Sequence, residues 1–182
     1  MSKLRKIGQI IERSLIFKLD GIDNKRYTDI YWKYLQGLGV NFTGRPNYIS
    51  SSAYLDGQGY ELITIGKDVV ISREAMLLTH DYSVETALHS IGLGTDDRRI
   101  KTNEGITIGD NSFIGARVSL LPGTHIGRDC IIGACSVVKG DVPDGSVLIG
   151  VPPRRIIAAT EDLGMRFAKD LDGEQLLSRS TE

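Results

Sequence analysis

The sequence predicts a mainly β fold in which the chain winds as a parallel β-helix of hexapeptide repeats. Aliphatic residues recur every six positions between residues 106 and 138, and the residue two places before each is mostly small. A helix repeats its apolar face about every 3.6 residues and a half-buried strand about every second residue, so neither explains the spacing. The recurring aliphatic residues are Ile108, Ile114, Leu120, Ile126, Ile132 and Val138.

Each unit of six residues is interpreted as a very short strand followed by a tight turn. Three units complete a triangular coil of about 18 residues, and stacked coils pair as parallel strands about 4.8 Å apart. Ile108 is then expected beside Ile126, and Ile114 beside Ile132. Glycine often follows the aliphatic residue, as at Gly109 and Gly115, where the turn needs backbone space or a positive φ.

Residues 1–36 are predicted to form an N-terminal helical segment that breaks near Asp20 and Gly21. Apolar residues at helical spacing and an excess of eight basic over four acidic side chains make its first part a basic amphipathic helix. Such a helix could pack on its own domain, pack on a neighbouring subunit, or make peripheral contact with an anionic membrane. The apolar residues are Leu4, Ile7, Ile10, Ile11 and Leu15.

The β-helix domain is expected to span residues 37–157, with a loop inserted at about 79–105. An earlier run of Ile65, Ile71 and Leu77 has the same period, but Leu77 is 31 positions from Ile108, which is not a multiple of six. A loop of about 13 to 25 residues must therefore intervene, and polar loops of that length usually have a function. Residues 158–182 are predicted to form a short C-terminal helix and a tail.

Composition favours a cytoplasmic protein, with a possible place at the inner face of the membrane. The two cysteines have no C-x-x-C spacing, no apolar run approaches the length of about 18 residues that a membrane span needs, and the first residues lack a signal-peptide cleavage pattern. The formal net charge is −1. No nucleic-acid partner is expected.

The run IGDNSFIGARVSLLPGTHIGRDCIIGACSVVKGDVPDGSVLIGVPPRRI resembles the hexapeptide-repeat acyltransferases, in particular the galactoside, maltose and capsular-polysaccharide O-acetyltransferases. The resemblance extends over residues 60–157. It implies a left-handed β-helix, a homotrimer, acetyl-CoA as acyl donor and no required metal. It also implies an acceptor that is a sugar or a precursor of a surface polysaccharide such as capsule, exopolysaccharide or O-antigen.

Transfer of an acetyl group to a hydroxyl needs a base, and a histidine with a pKa near 6.5 is suited to that role. His80 lies where the first run of repeats meets the inserted loop, which is where the family places its catalytic histidine. We therefore expect His80 to be the general base. Asp81, Glu85 or a backbone carbonyl is expected to orient its imidazole.

The resemblance assigns acceptor contacts to Ser52 and Asp56, although the turn chemistry of Asp56-Gly57 explains that aspartate equally well. Tyr82 stands where some relatives carry a second histidine, and it is expected at the acceptor too.

Coenzyme A is expected, again from the resemblance, in a groove between adjacent subunits. Small residues of the coils would contact its pantetheine and basic residues its phosphates, although the two arginines could equally be solvated. The predicted cofactor residues are Ala116, Ala134, Ser136, Lys139, Arg154 and Arg155.

Three other functions are compatible with this repeat. N-acetylation of an amino or nucleotide sugar uses the same fold and donor. A zinc carbonic anhydrase on this repeat needs three histidines, two of them spaced H-x-x-x-x-H, and the histidines at positions 80, 89 and 125 lack that pair. A non-catalytic scaffold would be expected to have lost the inserted loop or the histidine at position 80, and this sequence keeps both.

Overall fold

The computed structural model describes residues 3–93, 101–152, 154–157, 160–162 and 164, with the side chains of residues 3–6 and 154–157 left out. The predicted fold class is confirmed: the chain forms a left-handed parallel β-helix of triangular coils, preceded by two helices. Three sheets form the faces of the prism, and a small fourth sheet lies in the inserted segment.

The strands of each face are short and follow one another along the axis of the prism. Face A contains β1 (Asn41–Phe42), β4 (Ile63–Ile65), β9 (Ile106–Ile108), β12 (His125–Ile126) and β15 (Asp141–Val142). Face B contains β2 (Tyr48–Ile49), β5 (Val70–Ile71), β10 (Phe113–Ile114), β13 (Ile131–Ile132), β16 (Val147–Ile149) and β17 (Arg154–Ile157). Face C contains β3 (Tyr54–Leu55), β6 (Met76–Leu77), β11 (Ser119–Leu120) and β14 (Val137–Val138).

The register of these strands confirms the predicted ladders. Ile108 pairs with Ile126 and Ile114 with Ile132, in parallel and 18 positions apart. Ile65 pairs with Ile108, which is 43 positions on where an uninterrupted coil would need 18, so 25 residues are inserted. β17 departs from the pattern because it pairs antiparallel with β16.

Stacked aliphatic side chains fill the prism, and compact residues fill its corners. Ile65, Ile114, Leu120 and Ile132 are fully buried, as apolar side chains in a close-packed interior should be. The hydroxyl of Ser112 is satisfied inside the corner, since it donates to the carbonyl of Gly127 (2.9 Å) and accepts from the amide of Cys130 (3.0 Å). Corner hydroxyls therefore bridge one coil to the next.

The glycine that directly follows an aliphatic residue of the repeat is needed for space rather than for a positive φ. A Cβ on Gly109 would lie 2.5 Å from the carbonyl carbon of Gly127 and 2.6 Å from its oxygen, in the backbone of the next coil. The left-handed backbone falls instead on the third residue after the aliphatic residue. Gly123 and Gly145 adopt it without strain in two turns. In six other turns a polar or charged residue adopts it at a cost. These residues are Asp68, Glu74, Asn111, Arg117, Asp129 and Cys135, with φ between 53° and 61°.

Two helices occupy the segment predicted to be helical. Helix α1 spans Lys3–Phe17, and α2 spans Asn24–Leu38, so the break falls close to Asp20 and Gly21 as predicted. The carboxylate of Asp23 accepts from the amide of Arg26 (2.9 Å) and caps α2 at its start. Tyr27 of α2 is buried and donates to the carbonyl of Ile49 (2.8 Å), which fixes the helix on the first coil.

Only one side of helix α1 packs against the rest of its own domain. Ile16 is buried, and the ring of Phe17 meets the edge of Tyr31 with 5.3 Å between centroids. On the other side Ile7, Ile10, Ile11 and Leu15 are each more than half exposed. No helix in the part of the chain that the structure describes has the length and apolar character to cross a membrane.

The inserted segment is folded where it is described. It contains β7 (His80–Asp81), helix α3 (Ser83–Ser90) and β8 (Thr102–Asn103), with β7 and β8 paired antiparallel. The sequence predicts a loop here because the segment has no apolar periodicity. A helix of eight residues is too short to produce a recognisable period, so α3 is not predicted. The predicted C-terminal helix and tail lie outside the described residues except for 160–162 and 164, which are helical.

Replacing Gly109 by alanine should destabilise the β-helix by about 1 to 3 kcal/mol, because the new methyl group meets backbone that cannot move aside. Urea unfolding followed by circular dichroism measures the change. Gly8→Ala in α1 is the matched control, since nothing lies within 4 Å of its Cβ position. It should raise stability slightly, by up to about 1 kcal/mol. Equal effects of the two substitutions would contradict the close-approach explanation.

Candidate active site

His80 lies at the corner between faces C and A, where the inserted segment leaves the coil. The chain passes from β6 through Leu78 and Thr79 into β7, whose pairing with β8 closes the neck of the insertion. Leu55 pairs with Leu77, so the residues after β3 lie beside the residues after β6. This register brings Asp56 to His80 from the neighbouring coil.

The carboxylate of Asp56 contacts Nδ1 of His80 directly. The same oxygen accepts from the amide and hydroxyl of Thr79, at 3.2 and 2.8 Å, and the other oxygen accepts from the amide of Gln58 at 3.2 Å. Asp56 is only 1% exposed, whereas the side chain of His80 is 17% exposed. Because Asp56 occupies Nδ1, the ring presents Nε2 to anything that binds beside it.

Hydrogen bonds keep Asp56 ionised despite its burial. Burial on its own raises the pKa of this carboxyl, but the donors from Gln58, Thr79 and His80 outweigh it and hold the pKa below the ordinary value. An anionic Asp56 is the form that accepts the Nδ1 proton and holds the imidazole in one tautomer. The sequence predicts Asp56 at the acceptor or as a turn residue; the structure shows it accepting from Gln58 within its turn and contacting Nδ1 of His80.

Asp81 and Glu85, which the sequence suggested as orienting groups, are placed at the beginning of α3 instead. An oxygen of Asp81 accepts from the amide of Ser83 (2.7 Å), and this contact lowers the pKa of the Asp81 carboxyl. The backbone amide of Glu85 donates to the carbonyl of Tyr82 (3.0 Å). The carboxylate on Nδ1 is that of Asp56, so a role of Asp81 or Glu85 in orienting the ring is not supported by this geometry.

Tyr82 and Gln58 complete the surroundings of His80. The ring of Tyr82 stands edge-on to the imidazole, 5.2 Å between centroids, and its hydroxyl donates to Oε1 of Gln58 (3.4 Å). Tyr82 therefore lies beside His80, and its contact with the acceptor stays a prediction. Gln58 was missed, although its place two residues after Asp56 puts it in the same turn.

The other predicted site residues divide between two corners of the prism. Lys139 lies at the corner of His80, between β14 and β15, and its charge reaches Asp81. Ser52, Ala116 and Ala134 lie at the corner between faces B and C, where the amide of Cys135 donates to the carbonyl of Ala116 (2.9 Å).

Four of the predicted residues are either committed to the fold or described only in part. Ser52 accepts from the amide of Glu74 (3.2 Å), and Ser136 is buried with its hydroxyl on the carbonyl of Gly133 (2.7 Å). Arg154 and Arg155 lie in β17, opposite Ile149 and Leu148, and their side chains are outside the description.

No group of three His, Cys, Asp or Glu side chains in the described part of the chain is placed to hold a metal ion.

The comparisons with known proteins agree with this architecture. The family model Bacterial transferase hexapeptide (six repeats) matches residues 105–140. The Saccharomyces cerevisiae protein named Putative acetyltransferase YJL218W is 32% identical over 152 residues, which are 79% of this chain and 76% of that protein. The chain belongs to the hexapeptide-repeat transferase family.

Two further proteins show how much of this chain is similar in sequence and in structure. The Escherichia coli protein named Putative lipopolysaccharide biosynthesis O-acetyl transferase WbbJ is 31% identical over 124 residues, 66% of this chain and 61% of that protein. A solved galactoside acetyltransferase in complex with coenzyme A has a TM-score of 0.57 at 21% identity, covering 91% of this chain and 86% of that one. At that identity the likeness shows the fold. The chain spans 61%, 56% and 33% of three curated relatives that it matches.

Replacing Asp56 by asparagine should reduce stability at neutral pH, and the difference from the wild type should disappear in acid. A carboxyl whose pKa is lowered by folding contributes stability above its unfolded pKa, and that stability is lost as the pH falls through the folded pKa. Urea midpoints of both proteins from about pH 5 to pH 2 measure this, since the other acidic groups titrate in both. A difference that stays constant over this range would contradict the assignment.

Proposed function

We propose that this hexapeptide-repeat transferase is an acetyl-CoA-dependent O-acetyltransferase that acts on a sugar or on the precursor of a surface polysaccharide. The contact between Asp56 and Nδ1 of His80 is the observation that carries the proposal, because it leaves Nε2 as a base at a partly exposed position. The family supports acetyl transfer, and the names of its members, among them galactoside and lipopolysaccharide O-acetyltransferases, support a sugar acceptor.

The geometry is suited to direct transfer without an acyl-enzyme. The acceptor hydroxyl gives its proton to Nε2 of His80 as its oxygen attacks the carbonyl carbon of the thioester. The tetrahedral intermediate expels the sulfur of CoA, and the imidazolium returns the proton to that sulfur. Asp56 keeps the ring in the correct tautomer and stabilises its positive charge while it exists.

The donor is proposed to lie along the corner of Ala116 and Ala134. Small side chains and accessible turn backbone at that corner leave room for an extended pantetheine chain, and the structural neighbour that contains coenzyme A has the same fold. Lys139, Arg154 and Arg155 stay predicted phosphate contacts.

The two-corner arrangement supports a homotrimer. His80 and Ala134 lie at different corners of one prism, so one chain alone does not line a single groove with both. Three-fold symmetry would bring the His80 corner of one chain against the Ala134 corner of the next, and it would create three equivalent sites.

Membrane contact and cytoplasmic location stay predictions. The exposed apolar side of α1 is compatible with either a neighbouring subunit or a membrane surface.

Replacing His80 by alanine should lower the rate of acetyl transfer to a hydroxyl by about 10² to 10⁴, since a general base contributes that much. Thiol release from acetyl-CoA across a panel of sugars and amino sugars measures the rate. His125→Ala is the control, because His125 is exposed in β12 on another part of the coil, and full activity is expected. Equal turnover of His80→Ala and wild type on every active acceptor would remove His80 from the mechanism. A loss confined to hydroxyl acceptors would separate O-transfer from N-transfer.

Mixing two inactive variants should restore activity if each site uses two chains. His80→Ala removes the base, and Ala134→Trp fills the proposed donor groove from the other side. In trimers assembled from equal amounts of both chains, about one quarter of the sites receive two intact halves. Refolded or co-expressed mixtures, separated by two affinity tags, provide the test. Mixed trimers as inactive as the parents would place both halves in the same chain.

A further inference from the structure

A lysine stands at the rim of the His80 site, and the strand register explains its position. His80 pairs with Asn103 and Asp81 with Thr102, in antiparallel sense. Continuing this register by one residue places Lys101 across from Tyr82, which is the aromatic neighbour of His80. Lys101 therefore belongs to the same corner as the proposed base, although it lies 21 positions further along the chain.

Within the described residues, the contacts of Lys101 include no counter-ion. Its Nζ donates to Oε1 of Gln58 (3.2 Å) and lies 6.0 Å from the centroid of the Tyr82 ring. The partner is a neutral amide oxygen, which orients the ammonium group but does not neutralise it. Among the ion pairs within the described part of the chain, none involves Lys101.

The acidic groups nearby are occupied by other donors. The carboxylate of Asp56 is buried and accepts from Gln58, Thr79 and His80. Asp81 accepts from Ser83 and lies near Lys139. As far as the described residues extend, the positive charge of Lys101 is thus available to a bound anion.

We propose that Lys101, positioned by Gln58 and Tyr82, binds an anionic group of the acceptor, so that the preferred acceptor is an acidic sugar carrying a carboxylate or a phosphate. The inference rests on the proposed function, because it concerns the acceptor of that site. A hydrogen bond between an ammonium and an anion is stronger than one between neutral groups, and more so where the groups are partly removed from water.

The test compares matched acceptors that differ only in the acidic group. Galactose, galacturonate and galactose 6-phosphate are assayed by thiol release with saturating acetyl-CoA, using wild type, Lys101→Met and the control Lys67→Met. Lys67 is exposed and pairs with Asp68, so its replacement removes the same charge from another part of the coil.

Wild type should prefer an acidic sugar to galactose, and Lys101→Met should lose about 10- to 100-fold in kcat/KM for that sugar, mainly through KM. The kcat/KM for galactose and the KM for acetyl-CoA should not change, and Lys67→Met should behave as wild type. Galacturonate and galactose 6-phosphate distinguish the carboxylate from the phosphate. An equal loss for neutral and acidic sugars, or a raised KM for acetyl-CoA, would overturn the proposal.

Calorimetric titration of the same sugars into each variant with CoA present separates this inference from the proposed function. Binding of an acidic sugar that depends on Lys101, without turnover of any acceptor, would support the acceptor site and reject the transferase. Turnover with no preference for acidic sugars in either assay would keep the transferase and reject the role of Lys101. Neither turnover nor such binding would reject both.

Discussion

The return of each coil to the same face of the prism, after 18 residues where the repeat is regular, is the constraint on which the site depends. A parallel strand finds its partner only if the chain returns to the same face at the same height, and the strands between Ile108 and Val138 that pair with one another do so at 18 positions. A slip by one residue would turn the aliphatic side chains outward and the polar ones inward. Extra residues are therefore tolerated only where the chain leaves a corner and returns to it. The 25 residues inserted after face C do this, and their neck of β7 and β8 holds His80 at a fixed place.

The same constraint explains which part of the fold the sequence predicts well. The side chains that repeat every six residues are those that fill the interior, and interior packing leaves a strong trace in the sequence. Helix α3 leaves no such trace, because it is short and half-exposed and buries no regular face. The left-handed position three residues after the aliphatic residue was also missed, because residues as different as Glu74, Arg117 and Cys135 occupy it and only their backbone conformation is common.

The pairing of Asp56 with His80 could not be predicted from spacing. In the first coil Leu55 pairs with Leu77, 22 positions away, because the turn after β3 includes a short 3₁₀ helix at Tyr60–Leu62. A period of 18 therefore aligns Asp56 with the wrong residue of the next coil. His80 could be proposed because the resemblance and the beginning of the insertion both point to it. The group behind it could be found only from the three-dimensional register.

The two ends of the prism are covered by elements that do not continue the parallel coils. Stacked coils present unpaired backbone at each end, and an uncovered end can accept a strand from another molecule. Helix α2 lies on the first coil through Tyr27, and β17 turns back antiparallel along β16 at the far end of face B. A reversed strand cannot be continued by another parallel coil. These features prevent further coils from adding along the axis and leave the sides of the prism for association. The molecule therefore avoids the end-to-end fibres that a regular stack of identical coils would otherwise form.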